Sequence, residues 1–78
     1  MTDEPGFYNT SMKGTVESLD YRKRRGIIRD ANGNHYLFRR AAMVRPSDFG
    51  SLLLGKSVTF QVESDARATH VALEPTEP

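Results

Sequence analysis

"KSVTFQVE", Lys56 to Glu63, decides the fold class. Val58, Phe60 and Val62 alternate with Ser57, Thr59, Gln61 and Glu63, the period of two that a strand with one buried and one wet face requires. Upstream, "RGIIRD" (25–30), "ANGN" (31–34) and "HYLFRR" (35–40) read as a hairpin, because Asn32-Gly33 supplies the positive φ of a tight turn. Tyr36 and Phe38 then share one side of the second arm, with His35, Leu37 and Arg39 on the other. On the first arm Gly26 and Ile28 share one parity, opposite Arg25, Ile27 and Arg29. Tyr36, Phe38, Val58, Phe60 and Val62 are the expected core.

"MKGTVESLDY" (12–21) carries β-favouring Thr15 and Val16 but alternates poorly, and "ARATHVAL" (66–73) supplies a last strand. Between the hairpin and "KSVTFQVE" runs the longest connection, broken by Pro46 and Gly50, with one helical turn expected in "DFGSLLL" before Gly55 stops it. Five short strands in this arrangement fit a small closed barrel better than a flat sheet with two exposed edges. The expected fold is all-β, with residues 12–73 as one domain and flexible tails at 1–11 and 74–78, where proline, acid and small polar residues dominate.

The chain has 78 residues and no cysteine, so a disulfide framework and thiolate metal sites are excluded and strand pairing around a compact core has to supply stability. His35 and His70 lack companions at zinc-like spacing, the serines lack a nucleophile-elbow pattern, and "GTVES" is no phosphate loop. Neither an enzyme nor a cofactor is expected. No apolar run is long enough to cross a bilayer and "MTDEP" is unlike a signal peptide, so a soluble cytoplasmic monomer without membrane contact is expected.

The net charge of +1 conceals a basic middle. Residues 12–49 hold nine basic side chains against four acidic ones (Glu17, Asp20, Asp30 and Asp48), while 1–11 and 50–78 each carry a surplus of two acids. Seven of the nine are arginine, the cation that forks onto phosphate and stacks on flat rings. Anionic partners follow as an expectation. The bland alternative for Arg22 to Arg25 is a solvated turn.

The order "MKGTV", basic turn, "GII", "HYLFRRAAM", "DFGSLLLGKSVTFQVE" resembles the cold-shock domain, a five-stranded oligonucleotide-binding barrel, over roughly residues 12–73. The resemblance implies binding of single-stranded RNA or DNA, with bases stacked on surface aromatics. Carried onto this chain, Lys23, Gly26 and Ile28 are kept, Arg24 stands at a usual glycine, and Arg25 and Ile27 replace two stacking phenylalanines. Leu37 stands at a third, Arg39 at the histidine, and Arg40 at the last aromatic of that motif. Ser18 and Leu19 stand where tryptophan and phenylalanine are usual, leaving Phe49 as the retained surface ring.

A base stacked on an aromatic contributes about 1–3 kcal/mol, so these replacements exchange stacking for arginine electrostatics: more salt-sensitive and less selective. Lys13, Lys23, Arg25, Arg39 and Arg40 are the expected phosphate or base contacts, with Ile27, Leu37 and Phe49 giving apolar contact. The alternative is a protein-interaction barrel that has lost nucleic-acid binding. Ile27 and Leu37 would be core residues instead if the register slips by one, Phe49 would instead pack under its own connection, and Tyr21 would offer an extra stacking ring in the basic turn.

Overall fold

A computed structural model describes residues 11–63 and 65–74. Ser11 and Glu74 apart, the flexible-tail reading of 1–11 and 74–78 lies outside the described residues. Among them, five strands pair antiparallel in the order β3-β2-β1-β4-β5. These are β1 (Met12–Asp20), β2 (Arg25–Asp30), β3 (His35–Arg39), β4 (Ser57–Val62) and β5 (Ala68–Leu73). The sheet curls until its two edges meet: the Leu37 N–H donates to the Ala66 carbonyl at 2.9 Å, and parallel bridges join Leu37 to Arg67 and Met43 to Val71. The fold is therefore a small, partly open barrel of the oligonucleotide-binding type.

The core is Val16, Ile28, Phe38, Met43, Leu53, Val58, Phe60, Ala68 and Val71, with Met12, Leu19, Tyr36 and Phe49 packed at its margin. Val62, expected inside, is instead 41% exposed. Among the described residues β1 pairs with β4 only as far as Phe60, so Val62 lies beyond the doubly paired part of its strand. Hairpin parity decides which β2 residue must be glycine: a Cβ on Gly26 would lie 2.7 Å from the Phe38 ring and 2.8 Å from Leu19, inside van der Waals contact. Ile28 beside it is wholly buried, which leaves Arg25, Ile27 and Arg29 on the outer face.

Poor alternation in β1 has a local cause. Val16 pairs with Ile28 but Ser18 pairs with Ile27, so β1 carries one extra residue, a bulge that turns both Glu17 and Ser18 outward and returns Leu19 to the core. A second bulge interrupts β5, where Thr59 faces Ala72 and Gln61 faces Thr69; His70, at φ 54°, lies in this extra turn of chain.

At the β2–β3 turn Gly33 takes φ +87°, and the carboxylate of Asp30, 8% exposed, organises the loop. It accepts from the N–H groups of Asn32 and Asn34, both at 2.9 Å, and from the Tyr36 hydroxyl at 3.0 Å. Burial pushes this carboxyl up, but the hydrogen bonds from Asn34, Tyr36 and Asn32 outweigh it and hold Asp30 below its ordinary value. Its hydrogen bond to Asp30, then burial, pushes the Tyr36 hydroxyl up.

The long connection forms three short 3-10 turns, at Arg40–Ala42, Pro46–Asp48 and Ser51–Leu53. Gly55, at φ +82°, ends the last of them.

Candidate functional site

Because side chains alternate along β2 and β3, the register assembles the outer face in rows. Arg25 lies opposite Arg39, Ile27 opposite Leu37, and Arg29 opposite His35. Across β1 the rows continue to Asp20 beside Arg25, Ser18 beside Ile27 and Thr15 beside Arg29. Ile27 and Leu37 thus form an outward apolar strip, half-buried and 38% exposed respectively, between two polar rows.

The two ends of this face differ in charge. At one end the β1 bulge aims Glu17 at His35, 2.9 Å from Nε2, and at Arg29, 3.7 Å from Nε, so Arg29 is locally compensated. At the other end Arg25 and Arg39 stand side by side without an ion-pair partner among the described residues. Asp20, the neighbour that could neutralise Arg25, accepts the backbone N–H of Lys23 at 3.2 Å. Beyond it the exposed turn Tyr21 to Arg24 adds Arg22, Lys23 and Arg24, so positive charge accumulates here.

Arg40 joins this end structurally. Its backbone N–H donates to the Arg24 carbonyl at 2.8 Å, and its Nε donates to the Pro46 carbonyl at 3.1 Å, tying the basic turn to the connection. Lys13 does not join. It pairs with Glu74 at 3.1 Å and lies seven residues along β1 from Asp20, about 23 Å at ~3.3 Å per residue.

Phe49 is half-buried with its ring edge-on to Phe38 at 6.3 Å and to Tyr21 at 6.0 Å. These three rings lead from the core to the surface, and Tyr21, 52% exposed, is the outermost. Leu19 turns inward against Gly26, so of the two β1 positions where the resemblance implies rings only Ser18 is on the outer face. Arg24, at the usual glycine, adopts φ 54°, the conformation for which glycine is suited.

Tyr21, named from the sequence only as an alternative, and Arg67, not named, also belong to this surface. Tyr21 joins through its edge-on contact with Phe49. Arg67 joins through barrel closure: the bridge to Leu37 extends the row Ser18, Ile27, Leu37 by one more position. Nothing local in "SDARATH" announces that neighbour.

Among the described residues no cluster of histidine, cysteine and carboxylates could hold a metal ion, and no helix is long and apolar enough to cross a membrane. No protein-family model and no curated protein matches the sequence.

Proposed function

We propose that this is a cold-shock-like barrel that binds single-stranded nucleic acid, mainly RNA, with low sequence preference, in the cytoplasm. The observation that carries the reading is the outer face of β2 and β3. There two arginines without an ion-pair partner among the described residues, Arg25 and Arg39, flank the apolar strip Ile27–Leu37 and abut the cationic turn 22–24. A single strand offers what such a surface takes up: phosphates for the guanidinium forks and flat faces for the aliphatic strip and the Tyr21 ring. Phosphate contacts position a strand without reading it, hence the low preference.

The test is a nuclear magnetic resonance titration with a short pyrimidine strand at two salt concentrations. Amide shifts confined to β2, β3 and the 21–25 turn, with log affinity falling by about 0.7 per phosphate for each unit of log salt, support the reading. No shift in these residues at low salt discards it.

A protein-interaction role is the second reading, favoured by a different observation. Leu52 is 83% exposed and Leu54 52% exposed on the connection, two large apolar side chains close together in sequence. A partner retained equally after nuclease treatment, with binding lost on Leu52→Ser, would establish that role instead.

A further inference from the structure

The barrel does not close evenly. Among the described residues the seam between the β3 and β5 edges is bridged at Leu37–Arg67 and at Met43–Val71, and a cleft opens between those points. Three small side chains, Ala41, Ala42 and Ala68, line the gap, and the β5 bulge at His70 lies beside it. The result is a cleft of about 250 Å3, below the ~300–1,000 Å3 range of sites for drug-sized ligands.

Its polar rim is specific in sign. Arg39 and Arg67 both line it, one from each edge of the seam, and Glu63 is the acid that joins them. Among the described residues none of the three is in an ion pair. The cleft thus offers an apolar floor for a flat ring, two guanidinium groups for an anion beside that ring, and one carboxylate that only accepts hydrogen bonds.

From this arrangement we infer that the seam cleft seats one nucleotide of a single strand, phosphate on Arg39 and Arg67, and selects a base that carries an exocyclic amino group. Glu63 accepts from that amino group, as carboxylates do from cytosine N4; a carbonyl in its place, as in uracil, meets like polarity and is disfavoured. An acidic peptide fits less well, since it has no ring for the alanine floor and brings a second carboxylate to Glu63. The inference rests on the proposed nucleic-acid reading and adds to it a site on the β3–β5 seam, continuous with the outer face through the Ile27–Leu37–Arg67 row.

The experiment compares fluorescein-labelled hepta-cytidylate and hepta-uridylate by anisotropy on the full chain, with amide shifts followed in parallel. Expected are a preference of roughly fivefold for the cytidylate and shifts at Ala42, Ala68 and Thr69. Glu63→Gln should abolish the preference without weakening uridylate binding. Arg67→Ala should weaken both and lower the salt slope by about 0.7. Ala41→Leu, at an exposed position, fills the mouth of the cleft and should remove the preference while the fold, checked by circular dichroism, stays intact.

Equal affinities for the two oligomers, or shifts on β2 and β3 that spare the seam, would overturn the cleft and leave the outer-face reading standing. Absence of binding to either oligomer overturns both, and binding of an acidic peptide at the seam in their place assigns the cleft to a protein ligand.

Discussion

Arg25 and Arg39 face each other across neighbouring strands, and like charges in that position destabilise a hairpin. Folding gains nothing from the pair, and on the proposed reading the phosphates of a strand compensate it. Arg39→Thr, which substitutes a β-favouring neutral residue, should therefore stabilise the free protein by about 0.5 kcal/mol in a urea titration and weaken oligonucleotide binding in the same preparation. A loss of stability on that substitution would mean the guanidinium has a structural partner. Asp30 shows the opposite balance, a charge the fold does compensate. Its carboxyl titrates below its ordinary value of 3.8 in the folded state, so the unfolded chain binds more protons over the interval between the two values. Stability from this group is complete above pH 3.8 and should fall as the pH drops through the lowered value. Asp30→Asn should flatten that acid limb of a pH-dependent thermal melt. Tyr36 works in the other direction: its hydroxyl is raised above 10.0, so its contribution holds below that pH and is lost as the pH climbs through the raised value.

The β1–β2 turn adds its own cations to those that the β2–β3 register places. Arg24 sits in the β1–β2 turn at φ 54°, a left-handed conformation that costs a side chain about 1–2 kcal/mol. Arg24→Gly removes that strain, and after the greater chain entropy of glycine it should raise stability by roughly 0.5–1 kcal/mol. Removing a cation from the turn should lower affinity for a single strand, which a paired melt and binding titration would separate. What sequence reasoning could reach at this scale followed the strength of the local pattern. Val58 and Phe60 alternate cleanly with polar neighbours and are both buried, and Asn32-Gly33 marks the turn that forms. In β1 the bulge at Glu17 breaks the period, so Leu19 looks like a surface position and is a core-margin one. Val62 keeps the period but has no β1 neighbour among the described residues, and periodicity carries no information about where a partner strand stops. Arg67 reaches the face only because the sheet closes on itself, a contact 30 residues from Leu37 in sequence.

Across the whole molecule the near-neutral total of +1 resolves into one polarised end. Glu74 answers Lys13 and Glu17 answers Arg29, both at a distance from the basic turn, whereas Arg25, Arg39 and the 22–24 cluster share one corner without a described counterion. Exposed pairs of this kind contribute little to stability, on the order of 0–1 kcal/mol, so on the proposed reading their larger effect is on where a polyanion is drawn. Binding governed by net charge alone would treat every cation alike: Lys13→Ala and Arg25→Ala would then weaken a single strand equally. Binding governed by the corner predicts a difference. The double substitution Arg25→Ala with Arg39→Ala should lower the slope of log affinity against log salt by about 1.4, two phosphates at ~0.7 each, whereas Lys13→Ala should leave the slope unchanged. Measuring all three variants between about 50 and 200 mM salt distinguishes the two. Equal slopes for Lys13→Ala and Arg25→Ala would place binding in the diffuse field of the chain. A slope lost only with the corner arginines ties it to the β2–β3 face, because Lys13 and Arg25 carry the same charge on one sheet and differ in register and in the acid beside them.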